Sequence, residues 1–74
     1  MTQMTKVNST LIRSIGYNAL TEQLSVALQN QPSTVWNYDG VSRSTANQFV
    51  EASSKGQFFN TNIRGRFPTT KVAV

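Results

Sequence analysis

Positive charge surrounds the most apolar segment of this chain, SSKGQFFNTNIRGRFP at residues 53–68. The segment holds two adjacent phenylalanines between Lys55, Arg64 and Arg66, and no carboxylate side chain follows Glu51 in the sequence. Lysine and arginine side chains bind phosphates and other anions, and aromatic rings can add a stacking surface. The segment is therefore a candidate surface for an anionic partner, although the phenylalanines can also be ordinary core.

Helix geometry would place these cations on the solvent side of a short amphipathic helix. The sequence SSKG at residues 53–56 would begin that helix, where free backbone N–H groups and a glycine suit an anion. The glycine pattern of a phosphate-binding loop is missing, and helix capping explains the same residues. The predicted site for nucleic acid or another anion comprises Lys55, Gly56, Asn60, Arg64, Arg66 and Lys71.

A second candidate feature is the aromatic pair Trp36 and Tyr38, which share one face of a predicted strand because side chains alternate with period two. If helices cover this face, the rings belong to the core and their polar tips seek partners at its edge. If the face is open, rings near cations form a stacking platform of the kind that single-stranded RNA uses. Val35 is apolar too, so the alternation leaves both interpretations open, and we expect at least one ring to be buried.

Composition argues against catalysis. The chain has no histidine and no cysteine, which excludes the commonest bases and nucleophiles, disulfides and ordinary zinc sites. The three carboxylates, Glu22, Asp39 and Glu51, fall in a turn, at a strand end and in a helix. Their spacing predicts neither a catalytic pair nor a calcium site. We therefore expect a protein that is not an enzyme and that uses no cofactor or metal.

The first half of the chain predicts a three-stranded antiparallel meander. The segment at 10–17 reads as a first strand, in which two adjacent apolar residues indicate a bulge or burial on both sides. The segment at 23–29 alternates cleanly, and the segment at 34–41 forms the third strand. A turn at 30–33, NQPS, separates these last two strands.

The hydrophobic period then changes from two to about 3.6 residues, which predicts two short helices. The first would follow Ser42 as N-cap and end near residues 52–54. The second would be capped by Ser53 or Ser54 and would run to about Arg64. The predicted fold is α+β, in the order β-β-β-α-α, with both helices packed on one face of the sheet.

The 74 residues, with a formal charge of +4, make one small domain with a thin core. We divide the chain into a flexible N-terminal segment at 1–8, a domain at 9–68 and a C-terminal tail at 69–74. No apolar run reaches the length of a membrane-spanning helix, and the N-terminus lacks the apolar region of a signal peptide. We expect a cytoplasmic protein that does not contact a membrane.

The order of several motifs resembles the KTSC domain, a small bacterial and phage family named after the C-terminal end of some lysyl-tRNA synthetases. IRSIGYN, LSVAL, the aromatic pair in WNY and the segment at 53–68 follow the family's order over about residues 9–68. Trp36 replaces the first residue of the family's central tyrosine-x-tyrosine pair, and the turns at 31–33 and 42–43 lack its usual glycine and prolines. The resemblance implies a single domain of unknown function that is suggested to bind RNA.

The residues and the resemblance lead to the hypothesis of a small basic, noncatalytic module that binds RNA or another polyanion. The alternative is a protein-interaction module, such as a phage-encoded one, that docks on or inhibits a host protein. A thin core and an exposed strand edge would also allow a homodimer in either case. Salt separates the two hypotheses, because counterion release weakens polyanion binding more than it weakens a protein interface with a hydrophobic centre.

Overall fold

A five-stranded antiparallel sheet forms one layer of the protein, and a helical region inserted before the last strand forms the other. The structure, a computed structural model, describes residues 4–73. The strands lie side by side in chain order, each antiparallel to its neighbours. They are β1 (Thr5–Lys6), β2 (Ile12–Asn18), β3 (Gln23–Leu28), β4 (Gln31–Asp39) and β5 (Thr69–Ala73).

The helical region connects β4 to β5. It consists of α1 (Arg43–Glu51) and α2 (Lys55–Phe58), and α2 continues without a break into a π-helical turn (Phe59–Ile63). The α+β class is thus confirmed, as is the prediction of two helical segments after the strands. Within residues 4–73, neither helix has the length and apolar content that crossing a membrane requires.

The number of strands is a correction, because the sequence predicts three and the sheet has five. The additional strands lie in the segments predicted as a flexible start at 1–8 and a tail at 69–74, of which residues 1–3 and 74 lie outside the described residues. Neither strand has a buried apolar face: both residues of β1 and all five of β5 are exposed. Pairing with β2 and β4 makes them strands, and period-two hydrophobicity cannot reveal such edges.

Two local features of the meander also concern the prediction. The pairing of β2 with β3 shifts register between Ile12 and Ser14, which confirms the predicted bulge. The turn predicted at 30–33 is shorter than expected, because β4 already begins at Gln31. Gln31, which the sequence places in a turn, is therefore the first residue of β4.

The core lies between the helices and the sheet face that carries the aromatic pair. Register sets Leu24 opposite Tyr38 and Val26 opposite Trp36, so all four side chains point to the same face. Tyr38 is buried and Trp36 is half-buried at the edge of the core. The helices therefore cover this face, and the expectation that at least one ring is buried is confirmed. The largest fully buried side chains are Phe49, Phe59, Ile12, Leu24, Ile63, Val26 and Val41.

Serine side chains begin both helices. The Ser42 hydroxyl accepts a hydrogen bond from the Thr45 N–H at 3.2 Å, and the Ser54 hydroxyl accepts one from the Gln57 N–H at 3.4 Å. Each bond satisfies one of the N–H groups that a helix start leaves without an intrahelical partner. The predicted cap at Ser42 is confirmed, and Ser54 is the residue that caps the second helix.

The adjacent phenylalanines, Phe58 and Phe59, both contact Phe49 but differ in how deeply they are buried. Phe59 is buried, and its ring stacks on Phe49 with centroids 6.2 Å apart. Phe58 is half-buried and stacks on the same Phe49 ring at 5.6 Å and 12°. Phe58 therefore closes the junction between α1 and α2. The phenylalanines of the opening segment belong to the core.

Gly56 in α2 packs directly against the loop before β2. A Cβ atom on this glycine would lie 3.2 Å from the Cβ of Leu11. Because backbone position fixes both atoms, no rotamer change can relieve the contact. We therefore expect Gly56→Ala to lower the free energy of unfolding by about 1 kcal/mol, as overpacked sites do. Urea denaturation followed by circular dichroism measures it. Helix propensity alone predicts a gain of about 1 kcal/mol, so a more stable variant would contradict the close approach.

Candidate anion-binding cleft

A cleft of about 340 Å³ opens where the start of β4, the end of the helical region and β5 meet. We call it the Trp36 cleft. Two of its side chains come from the predicted aromatic pair, and a third is the predicted cation Arg64. Its lining residues are Leu28, Gln31, Trp36, Tyr38, Arg64, Gly65 and Thr69.

Pairing between β4 and β5 brings a lysine to the ring of Trp36. The register sets Lys71 directly opposite Trp36. The Lys71 ammonium lies 5.7 Å from the centroid of the Trp36 ring, within the range of a cation–π contact. The indole N–H donates to the Gln31 side-chain oxygen at 2.9 Å. The indole is therefore held in one orientation, and the Gln31 NH₂ group remains as a donor at the cleft.

Tyr38 is the most buried of the residues that line the cleft. Its residue is 4% exposed, and the edge of its ring meets Phe59 with centroids 5.7 Å apart and planes at 80°. Among residues 4–73 its hydroxyl has no hydrogen-bond partner, although every fully buried side-chain N or O atom there has one. The hydroxyl must therefore reach solvent, and Tyr38 is one of the residues that line the Trp36 cleft.

Arg64 and burial act on the Tyr38 hydroxyl in opposite directions. Burial raises the pKa of Tyr38 above its ordinary value of 10.0, and the positive charge of Arg64 opposes this shift by a smaller amount. The hydroxyl is thus protonated at neutral pH and can donate a hydrogen bond. Arg64 and Tyr38 line the same cleft.

The helical region ends in a way that presents Arg64. The Arg64 N–H donates to the Phe59 carbonyl at 2.8 Å, five residues back, which closes the π-helical turn. Gly65 follows with a φ of +74°, a backbone conformation that favours glycine, and the chain then turns toward β5. Phe59 and Ile63 are buried, so the turn is anchored from its inner side while Arg64 is exposed.

The other predicted anion-binding residues lie in a different place. Lys55, Gly56 and Asn60 line a separate cleft of about 530 Å³ beside the loop at 8–11. The Lys55 ammonium donates to the Ala52 carbonyl at 3.1 Å, so it satisfies an acceptor just after α1. Gly56 is used for close packing against the loop. We call this second place the Lys55 cleft.

The predicted site is thus divided by the structure. Trp36, Tyr38 and Arg64 line one cleft, with Lys71 over the Trp36 ring beside it, whereas Lys55, Gly56 and Asn60 line another. Arg66 is exposed and lines neither of them. Four residues that line the Trp36 cleft were missed by sequence reasoning: Leu28, Gln31, Gly65 and Thr69. The sequence places Gln31 in a turn and Thr69 in a tail, and it gives Leu28 and Gly65 only structural roles.

Comparisons with known proteins agree with this architecture of a small α+β domain. The family model of the KTSC domain matches residues 8–67. A crystal structure of a KTSC domain protein from Yersinia pestis matches with a TM-score of 0.92 and 33% sequence identity, over 99% of this chain and 100% of that chain. No curated protein matches the chain. The chain belongs to the KTSC domain family, which confirms the resemblance.

The raised pKa of Tyr38 predicts how stability depends on pH. The unfolded chain releases this proton near pH 10, whereas the folded protein holds it to a higher pH. The contribution of the protonated Tyr38 hydroxyl to the free energy of unfolding is therefore complete below pH 10, and it is lost as the pH rises above that value. Phenylalanine cannot ionise, so we expect Tyr38→Phe to lose less of its melting temperature between about pH 9 and 11 than the parent protein. Circular dichroism at both pH values measures this difference.

Tyr17 offers a matched control for that substitution. Its hydroxyl donates to the Val41 carbonyl at 2.6 Å, so Tyr17→Phe should cost about 1 kcal/mol at neutral pH. Tyr38→Phe removes no hydrogen bond between described residues and should leave the melting temperature at neutral pH unchanged. Equal losses in the two variants would show that the Tyr38 hydroxyl has a partner in the folded protein.

Proposed function

We propose that this protein is a noncatalytic module that binds RNA or another polyanion through the Trp36 cleft and the cations around it. The observation that carries the proposal is the presence of Trp36, with Lys71 over its ring, in a cleft that Arg64 also lines and to which no carboxylate of residues 4–73 contributes. An aromatic ring with cations beside it suits a base and its phosphate. Neutral donors at the same place, the Tyr38 hydroxyl and the Gln31 amide, complement an acceptor-rich ligand.

Single-stranded nucleic acid fits this cleft better than a duplex. A base can stack on Trp36 only when it is neither paired nor stacked within a duplex. The cleft is also a local depression between β4, β5 and the helical region rather than a long groove, so it suits a splayed-out base. We expect the affinity for single-stranded RNA to exceed that for double-stranded RNA of the same length.

The Lys55 cleft supplies a second region that a linear polyanion could reach. Lys55 opens α2 and Arg64 follows the π-helical turn, so the two residues stand nine positions apart, about 13 Å along a helix axis. Asn60 lies between them on the exposed surface. A strand of several nucleotides can span that distance, whereas a small anion cannot. If Lys55 contributes to the binding affinity, the ligand is therefore a polymer.

The alternative function is a protein-interaction module, and the exposed edge of the sheet favours it. All residues of β5 are solvent-exposed, and Val72 is 39% exposed. Such an edge can pair with a strand of another protein or of a second copy. A contact of this kind depends less on salt than polyanion binding does.

Fluorescence anisotropy of a labelled single-stranded RNA tests the proposal at about 50 and about 200 mM salt. We expect binding that weakens with salt, with a smaller salt slope in Arg64→Ala and Lys71→Ala. For single strands the slope should fall by about 0.7 for each phosphate contact removed. Circular dichroism of each variant confirms that it is folded.

Arg13→Ala is the matched control, because it removes the same charge from β2, which β3 separates from β4 in the sheet. We expect it to retain the slope and affinity of the parent protein. Binding that falls equally in all three variants would indicate attraction to net charge alone. Absence of RNA binding, or binding that salt does not weaken, would contradict the proposal and favour the interaction module.

A further inference from the structure

The Trp36 cleft holds its aromatic ring ready for a ligand. The strand position and the hydrogen bond to Gln31 fix the indole, so no rotamer has to be selected when a planar group arrives. Rings that are fixed in advance bind with a smaller loss of conformational entropy. This property distinguishes the cleft from a flexible surface aromatic.

Lys71 lies beside the cleft rather than in its lining, over a face of Trp36 on which a planar ring could stack. Its ammonium is over the Trp36 ring, 5.7 Å from the centroid, and the lysine is exposed at the sheet edge. A planar ligand that stacks on this face must displace the ammonium. A flexible four-carbon stem allows the ammonium to move outward, where it can pair with a negative group attached to the ring. The geometry therefore favours a planar ring that carries its own anionic group over a plain ring.

The remaining groups indicate what that anion is and how large the ligand can be. Arg64 offers a planar fork of N–H donors, which matches the oxygens of a phosphate. Tyr38 adds a neutral hydroxyl at the inner wall. The volume of about 340 Å³ is near the lower end of the roughly 300–1,000 Å³ that ligand sites occupy, so it accommodates one base and its phosphate.

We propose that the Trp36 cleft binds one nucleotide as a complete ligand, with the base on Trp36, the phosphate on Arg64 and Lys71, and the Tyr38 hydroxyl donating to the base or its sugar. The inference rests on the proposed function for its choice of a nucleotide over other aromatic anions. It adds that a free nucleoside monophosphate occupies the same place as one unit of the RNA. The uncharged nucleoside lacks the group that would hold the displaced Lys71.

Trp36 makes the test direct, because it is the single tryptophan of the chain and its fluorescence reports the cleft itself. Uridine 5′-monophosphate and adenosine 5′-monophosphate are titrated in parallel with uridine, adenosine and inorganic phosphate. We expect quenching by the monophosphates, weaker quenching by the nucleosides, and no competition by phosphate at equal concentration. Excess monophosphate should also release labelled single-stranded RNA in the anisotropy assay.

Three variants separate the contributions. Tyr38→Phe keeps the ring that packs on Phe59 and should weaken monophosphate binding about fivefold, the effect of one neutral hydrogen bond. Lys71→Gln should weaken the monophosphates and leave the nucleosides unchanged or tighter, because it removes both the charge and the ammonium over the ring. Arg13→Gln serves as the charge-matched control and should change neither.

Each result decides between the two proposals. If RNA binds but excess monophosphate neither quenches Trp36 nor releases the RNA, this inference is overturned and the proposed function stands. If a monophosphate binds and RNA does not, the proposed function fails and the cleft is a small-molecule site. Inorganic phosphate that competes as well as a monophosphate, or Lys71→Gln that weakens nucleosides equally, would also overturn the inference. If neither RNA nor a monophosphate binds, both are wrong.

Discussion

The contact between Phe59 and Tyr38 joins the two layers of this protein. The edge of one ring meets the other 5.7 Å away, and Phe59 also stacks on Phe49 of α1. One phenylalanine thus connects the sheet, the first helix and the π-helical turn, and edge-to-face aromatic pairs stabilise such junctions beyond the area that they bury. The position of Arg64 and the inner wall of the Trp36 cleft both depend on this contact, so the candidate site and the core share the same residues.

Much of the fold could be predicted because its central elements follow simple periodicities. The segment at 23–29 alternates with period two, both helices begin at serines that cap them, and Phe49 is a buried residue of α1. The outer strands could not be predicted in this way. β1 is two residues long and β5 buries no side chain, so their conformation is decided by neighbouring strands rather than by their own sequence.

The sequence predicted which types of residue form the candidate site, but it did not predict which of them lie close together in the structure. Lys55 and Arg64 belong to the same basic segment, yet each lies at a different cleft, because Lys55 begins α2 and Arg64 follows the π-helical turn that continues it. Conversely, Trp36 and Lys71 are far apart in the chain and meet through the register of β4 and β5. Strand pairing between segments distant in sequence leaves no local pattern. Only the aromatic spacing and the late surplus of cations indicated that this region is a candidate site.

The π-helical turn makes the direction of Arg64 sensitive to chain length. Its closing bond spans five residues, from the Arg64 N–H to the Phe59 carbonyl, where an α-helix would span four. Loss of one residue between Phe59 and Ile63 would restore an ordinary α-turn and rotate the following side chain by about 100° around the helix axis. One inserted residue therefore sets the angle, around the helix axis, between the buried side chains of Phe59 and Ile63 and the guanidinium of Arg64. A shorter homologue with the same composition would present its guanidinium to a different part of the surface.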